Sequence, residues 1–282
     1  YKRQDVREIK WYESVFGEDP SLMLKRPFCA VPDREGNIYV SDVELKGVFK
    51  FDFKQRSFRL FYASPRPLSM DIMPSKNILF VTDGFSKQVV GISLLDGRPV
   101  MQLPGDFSVP GAVRVDEKHG RIYVGDSRTD ILYVYDLEGK LLFKFGGSGI
   151  ENGQFMTIAS IDVDSQGRIY VADTFNYRIQ VFDREGNYLK SLGYGIGKHI
   201  GGFARLKGVA IDSEDHVYAL DMDHSNVQIF DFDNNMYLFF SGPGTKEGDL
   251  WLPTCIYIDR TTDYIYIGDN FNRRVSIFQY LK

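Results

Sequence analysis

An aspartate recurs at a nearly even spacing along the chain, and it is the side chain here with the most obvious capacity for chemistry. The six members of this set are Asp42, Asp83, Asp126, Asp173, Asp221 and Asp269. Their intervals are 41, 43, 47, 48 and 48 residues. Oxygen ligands from several carboxylates would suit Ca²⁺, but such a residue can also accept backbone N–H bonds in the loop that follows it. Because an active site breaks the symmetry of a repeat, we expect these aspartates to be structural.

Basic side chains follow most of these aspartates within the same loop. The set is Lys46, Lys87, Arg128, Arg178, Arg273 and Arg274, with His224 in the fifth unit. Each could pair locally with its aspartate, which is worth about 0–1 kcal/mol when exposed. The alternative is a set of donors on one face that binds an anionic or carboxylate-bearing partner. Local pairing is the favoured interpretation, and the donor set is our functional hypothesis.

Histidine and tryptophan offer two further candidate sites. A catalytic zinc needs about three convergent protein ligands. The four histidines divide two and two between the faces of the predicted ring, and only His199 and His224 are expected to be able to meet. We therefore expect no metal and no other cofactor, with this pair as the weak candidate. Trp251 stands outside the repeat pattern in a loop, and buried tryptophan and arginine anchors dominate many interfaces. It is our candidate for a partner contact, with covering a core edge as the alternative.

The elements that must position these residues are strands. Each unit has an apolar run, a polar turn, a run such as "RIYVAD", a loop, a run such as "IQVFDR", a turn and a fourth run. Alternating β-branched and aromatic residues between Gly, Asp and Asn turns predict antiparallel strands. Four strands in about 40–48 residues is the period of a β-propeller blade. The sequence predicts one all-β domain over residues 1–282, a six-bladed propeller of four-stranded antiparallel blades.

The predicted blades span the whole chain. The last unit supplies only three strands. Residues 9–16 ("IKWYESVF") are therefore expected to form its outer strand and to close the ring. This pairing would cover a strand edge that would otherwise be open. The predicted bounds are 26–62, 66–103, 109–146, 157–193, 205–241, and 252–282 together with 9–16.

The innermost strands carry small residues at equivalent positions: Cys29, Ser69, Ala112, Ser160, Gly208 and Cys255. Six strands crowded round one axis would demand small side chains there. Two equivalent inner strands are expected to lie beyond the roughly 7 Å Cα separation that a disulfide can span. We therefore expect Cys29 and Cys255 to be free thiols, although blades 1 and 6 are neighbours and a disulfide is the alternative.

Composition excludes some functions. The net charge is −4 without Lys/Arg clusters, which argues against nucleic acid as a partner. The sequence has no apolar run near the ~18 residues of a membrane span. The chain starts at Tyr1, so we expect that a preceding segment was removed, a signal peptide being one reading.

The fourth unit, "GQFMTIASIDVDSQGRIYVADTFNYRIQVFDREGNYLKSLG", resembles an NHL repeat. "LKGVAID" and "NVQIFD" in the fifth unit and "YIGDNFNRRVSIF" in the sixth keep the same pattern, and units 1 to 3 keep it more loosely. With Trp11 and the terminal "NRRVSIFQYL", the chain is similar to bacterial stand-alone NHL proteins. That resemblance implies export to the periplasm or outer surface, in some cases as lipoproteins. It also implies genes beside multihaem c-type cytochromes.

The resemblance also brings alternatives. Related propellers include lyases with zinc on a histidine cluster, lactonases with a divalent cation on channel carboxylates, and RNA-binding domains with a strongly basic face. We expect a non-catalytic scaffold that presents one loop face to a partner protein, such as a multihaem cytochrome or a surface filament protein. A metal-dependent hydrolase or lyase in the channel is the alternative, and small-ligand binding at the channel mouth is another.

Overall fold

The strands form as the alternating pattern predicts. The computed structural model describes residues 6–8 and 24–280, in six separate four-stranded antiparallel sheets. The predicted fold class, a six-bladed propeller with four strands in each blade, is confirmed. Residues 24–280 contain 3-10 turns at Pro74–Lys76 and Thr174–Asn176. Within the described ranges there is no helix long and apolar enough to cross a membrane.

The strands follow one another along the chain. The first strand is β1 (Val6–Glu8). Blade 1 contains β2 (Pro27–Pro32), β3 (Ile38–Asp42), β4 (Gly47–Asp52) and β5 (Ser57–Ala63), and blade 2 contains β6 (Pro67–Met73), β7 (Ile78–Asp83), β8 (Gln88–Ser93) and β9 (Pro99–Leu103). Blade 3 contains β10 (Pro110–Asp116), β11 (Arg121–Asp126), β12 (Ile131–Tyr135) and β13 (Leu141–Gly146). Blade 4 contains β14 (Ile158–Val163), β15 (Ile169–Asp173), β16 (Arg178–Phe182) and β17 (Tyr188–Leu192). Blade 5 contains β18 (Leu206–Ile211), β19 (Val217–Asp221), β20 (Asn226–Phe230) and β21 (Met236–Phe240). Blade 6 contains β22 (Pro253–Asp259), β23 (Tyr264–Asp269) and β24 (Arg274–Tyr280).

The first strand of each blade packs against the first strands of its two neighbours. The contacts run from β2 through β6, β10, β14 and β18 to β22, and β22 returns to β2, so the six sheets surround a central channel. The sixth sheet is completed from the N-terminal side, where β1 pairs antiparallel with β24. The ring is thus closed by an N-terminal strand at Val6–Glu8, and the predicted segment 9–16 lies outside the described residues.

The core lies between the blades, where the second strands are buried on both of their faces. Tyr39, Tyr170 and Tyr218 occupy the same place in three second strands and are almost fully buried. Their hydroxyl groups donate to Asp33, Asp164 and Asp212 at 3.2, 3.0 and 3.1 Å, so each buried phenol keeps a hydrogen-bond partner. Such rings bury a large apolar area while one polar atom is satisfied at the blade edge.

Cys29 and Cys255 form a disulfide, so the expectation of free thiols was wrong. Their Cα atoms are 5.1 Å apart, within the range that a disulfide can span. The inner strands converge more closely than we expected, and each first strand has a register shift near its small residue, as at Cys29 and Gly208. A Cβ atom on Gly208 would lie 2.6 Å from Ile256 Cγ2 of the next blade, which shows how tightly the strands pack there.

Candidate binding face and channel

The loop face is defined here as the side of the ring that carries the loops between second and third strands and the connections from each fourth strand to the next blade. The two kinds of loop touch each other: the Asn176 amide donates to the Gly149 carbonyl at 2.9 Å across them. The opposite side, the turn face, carries the remaining turns. There the Lys76 ammonium of blade 2 donates to the Leu137 carbonyl of blade 3 at 2.8 Å.

The six recurring aspartates lie buried at the rim of the loop face. In three blades the carboxylate accepts four backbone N–H groups. Asp126, for example, accepts from Ser108 and Val109 on the incoming connection and from Arg128 and Thr129 in the following loop. Asp42 and Asp221 make the equivalent contacts. These carboxylates hold two loops of one blade together, which is a structural role.

Arg178 and Arg274 serve the same purpose in blades 4 and 6. Arg178 Nε donates to Asp173 at 3.0 Å, and its Nη2 donates to the carbonyls of Ile150, Glu151 and Gln154. Arg274 Nε donates to Asp269 at 2.9 Å, and its Nη2 donates to the Lys246 and Asp249 carbonyls. Both guanidinium groups are occupied in positioning a connection, so they are not available as a pair of free donors.

The other basic candidates do not form a ring of equivalent side chains. Lys46, Lys87 and Arg273 occupy the fourth position after the aspartate, where the backbone has a positive φ of about 55°. Arg128 occupies the second position, and all four side chains are exposed. They therefore contribute scattered positive charge to the loop face.

The histidine pair offers little for a metal. His199 is exposed, and His224 lies beside Asp221 with Nδ1 3.8 Å from the carboxylate. Its Nε2 atom is buried without a hydrogen-bond partner among the described residues. Within residues 24–280, His, Cys, Asp and Glu side chains do not gather in groups of three that could hold a metal ion.

A cavity of about 520 Å³ opens at the centre of the loop face, where the channel begins. We call it the mouth cavity. Its lining includes the cations Arg26, Arg66, Arg205 and Lys207 and the aromatic rings Phe175 and Phe271. The described residues of the lining include no carboxylate. This arrangement favours an anionic ligand, because cavities lined by one sign of charge focus the field on the opposite sign.

Lys207 projects from β18 into this cavity. Burial lowers the pKa of its ammonium group, and the nearby charges of Arg205 and Arg66 lower it further. Among the described residues Lys207 has no carboxylate partner, whereas Arg205 pairs with Asp223 at 3.4 Å in an exposed contact. A cation held in this way would be stabilised by an added anion.

Exposed aromatic rings surround the mouth cavity. The second residue after the aspartate is phenylalanine in alternate blades, namely Phe85, Phe175 and Phe271, with 73%, 46% and 48% exposure. Trp251 is 45% exposed, and its ring lies 5.6 Å from that of Phe271. The backbone N–H of Trp251 is fixed by Asp269 at 2.8 Å, so the loop is anchored while the indole faces outward. These four exposed rings are called the aromatic rim; they lie on loops of blades 2, 4 and 6, and Phe175 and Phe271 also line the mouth cavity. Exposed aromatic side chains of this kind are enriched in interfaces.

Buried charged side chains of three neighbouring first strands form an ionic network. Arg114 Nε donates to Asp162 at 2.7 Å, and Arg114 Nη1 lies 3.5 Å from Asp71. Arg260 also pairs with Asp162 at 2.8 Å, and Arg114 lies over the ring of Tyr257. Burial alone would lower the pKa of Arg114, but Asp162 and Asp71 raise it, so the guanidinium remains charged. Burial raises the pKa of Asp71, and Arg114 together with the Val115 and Ile72 amides offsets this only in part.

Sequence reasoning missed both the mouth cavity and this network, although signals existed for each. A basic residue directly precedes the first strand in "KRP", "PRP" and "ARL", at Arg26, Arg66 and Arg205. Charged residues also interrupt the apolar first strands in "SMDIM", "AVRVD" and "SIDVD". The first strands converge on one axis. The basic residues that precede them therefore meet at the mouth cavity, and the charged residues within them meet in the channel network.

Comparison with known proteins agrees with this fold. A protein of unknown function from Bacteroides thetaiotaomicron is similar at TM-score 0.76 and 13% identity, over 98% of this chain and 75% of that chain. An auxiliary nutrient binding protein from the same organism is similar at TM-score 0.70 and 14% identity, over 92% and 70%. A catalytically inactive virginiamycin B lyase from Staphylococcus aureus, with quinupristin, is similar at TM-score 0.65 and 11% identity, over 97% and 88%.

At these identities the likenesses show the fold alone, which is that of a six-bladed β-propeller. Residues 155–182 match the family model of the NHL repeat, so the chain carries an NHL repeat in its fourth blade. No curated protein sequence matches the chain significantly.

Proposed function

We propose that this propeller is a non-catalytic binding protein that presents its loop face to a partner protein. The observation that carries the proposal is the aromatic rim beside a cation-lined mouth cavity. Exposed phenylalanine and tryptophan rings lose unfavourable contact with water when a partner covers them, and such rings are enriched among the residues that dominate binding energies. Each rim ring lies on a loop fixed by a buried aspartate, so the surface is preorganised and binding needs little ordering.

The buried charges of the channel support a binding role. Arg114 pairs with Asp162 at 2.7 Å and lies 3.5 Å from Asp71, so these carboxylates are held in ion pairs with a structural guanidinium. The similar lyase and nutrient binding protein show that this fold serves both enzymes and binding proteins.

The disulfide between blades 1 and 6 supports a place in an oxidising compartment, because disulfides persist there and are rare in reducing cytosol. We therefore propose the periplasm or the outer surface as its location. The proposal that the partner is a redox or surface-appendage protein rests on the resemblance to bacterial stand-alone NHL proteins.

The test is affinity capture from an extract of the source organism's envelope, with bound proteins identified by mass spectrometry. Three baits are compared: the wild type, the double variant Trp251→Ala/Phe271→Ala, and the control Leu95→Ala. Leu95 is 83% exposed on the turn face, so the control removes an equally prominent apolar side chain from the other side. A partner retained by the wild type and the control but lost by the double variant supports the proposal. A partner that all three baits retain equally contradicts it.

A further inference from the structure

The mouth cavity concentrates positive charge in a protein whose net charge is −4. Four cations line it, three of them from residues that directly precede a first strand and the fourth, Lys207, from within β18. Arg26, Arg66 and Lys207 form no ion pair with a described residue. Like charges gathered in a partly enclosed space repel one another, and an anion bound among them relieves that repulsion.

Lys207 also breaks the symmetry of the repeat. The equivalent position, one residue after the start of the first strand, holds Phe28, Leu68, Gly111, Ala159 and Thr254 in the other blades. A repeated fold has no packing need for a charge at this point, since five blades fold without one. Arg178 and Arg274 lie on the same face, but their guanidinium groups already pair with aspartates and donate to backbone carbonyl groups.

The cavity combines this charge with apolar surface. Phe175 and Phe271 line it from blades 4 and 6, on either side of blade 5, while the cations come from blades 1, 2 and 5. Its volume of about 520 Å³ lies within the range of ligand pockets. The cavity therefore has room for a carboxylate-bearing side chain and for an apolar side chain next to it.

We propose that the mouth cavity is a carboxylate subsite that receives an acidic segment of the partner protein. In it Lys207, with Arg26, Arg66 and Arg205, binds one or two carboxylate groups, and Phe175 and Phe271 pack against an adjacent apolar side chain. This inference rests on the proposed function and names the chemistry that the loop face recognises. Its basis is charge complementarity between a cavity without carboxylates of its own and an acidic peptide.

The experiment is calorimetric titration of the full chain at 50 mM NaCl with the peptide acetyl-Glu-Phe-Glu-Glu-amide. The neutral peptide acetyl-Gln-Phe-Gln-Gln-amide is the ligand control. The variants are Lys207→Met, which keeps the length of the side chain and removes its charge, and Lys54→Met, which removes an exposed lysine in the turn between β4 and β5, on the turn face and outside the cavity lining. We expect binding of the acidic peptide below about 1 mM, weakened at least tenfold by Lys207→Met and less than twofold by Lys54→Met. The neutral peptide should not bind in this range.

Several results would overturn the subsite. Equal affinity of wild type and Lys207→Met for the acidic peptide would do so, as would the absence of binding to the wild type up to several millimolar. Titration with citrate and with inorganic phosphate distinguishes the source of the anion. If either binds through Lys207 while the acidic peptide does not, the cavity serves a small free anion and the proposal of a peptide segment is wrong.

The capture experiment separates this inference from the proposed function. If the aromatic variant loses the partner while Lys207→Met keeps it, the loop face binds the partner and the carboxylate subsite is refuted. If both variants keep the partner, the proposed function fails together with the subsite. A melting temperature of Lys207→Met equal to or above that of the wild type shows that any lost binding is not a loss of folding.

Discussion

Removing the disulfide between Cys29 and Cys255 tests how the ring is held closed. The perturbation is the double variant Cys29→Ala/Cys255→Ala, which places at both sites the residue that blade 3 carries at Ala112. The two cysteines are separated by 226 residues, so the disulfide closes a loop that includes almost the whole propeller. In the chain-entropy account a loop of this length restricts the unfolded chain by about 5 kcal/mol at 25 °C.

The assay is thermal unfolding followed by circular dichroism or calorimetry. For a domain of this size each kcal/mol corresponds to roughly 2–4 °C, so the variant should melt roughly 10–20 °C below the wild type. A reducing agent should lower the wild-type melting temperature towards that of the variant and leave the variant unchanged. The variant should still fold, because its inner strands keep their small residues and β1 still pairs with β24.

Two results would refute this reasoning. One is a difference in melting temperature of less than about 3 °C, which would mean that the disulfide adds little to the closure of the ring. The other is reaction of two thiols with Ellman's reagent in denaturant without a reducing agent, which would mean that the cysteines are not bridged.

Two further predictions concern the channel and the mouth cavity. Arg114→Met should lower the free energy of unfolding in urea by about 3–5 kcal/mol, because it leaves the buried Asp71 without its cation and removes one of the two arginine partners of Asp162, Arg260 being the other. The exposed control Arg98→Met should change it by less than about 0.5 kcal/mol, and equal effects would contradict the role of the network. Lys207→Met should raise the melting temperature at pH 7. Burial and the charges of Arg205 and Arg66 lower the Lys207 pKa from 10.5, and Arg26 also faces the group, so the unfolded chain holds this proton more tightly than the folded protein. The difference between variant and wild type should therefore shrink as the pH rises through the lowered pKa towards 10.5, and a difference that grows would contradict this.

The repeat predicted the fold well because its signals are local. Alternating apolar residues and turn residues define each strand, and the recurring aspartates show where each second strand ends. Asp126 illustrates this, because its four backbone hydrogen bonds involve only residues of the same blade and of the connection that enters it. Because these interactions stay within one blade, the sequence of a single unit is enough to predict its strands, and the same prediction applies to all six units.

The features that the sequence did not reveal depend on how different blades meet. The separation of Cys29 and Cys255 is set by the convergence of six bulged strands, which a repeat length does not specify. The mouth cavity likewise draws on five blades, so Arg26, Arg66 and Lys207 come together although they are far apart in sequence. Arg178 and Arg274 follow the local pairing that the sequence favoured, and they also donate to carbonyl groups of the incoming connection, which the sequence does not indicate. Only the three-dimensional arrangement shows whether a guanidinium group already donates to other groups of the protein or is available to bind a partner.

Hydrogen exchange on the complex with the captured partner shows which face of the propeller the partner covers. We expect partner binding to slow exchange in the loops after the second strands and in the connections near Trp251 and Lys207, with the turn face unchanged. Protection confined to the turn face, for example around Leu95, would contradict the claim that the loop face is the binding surface.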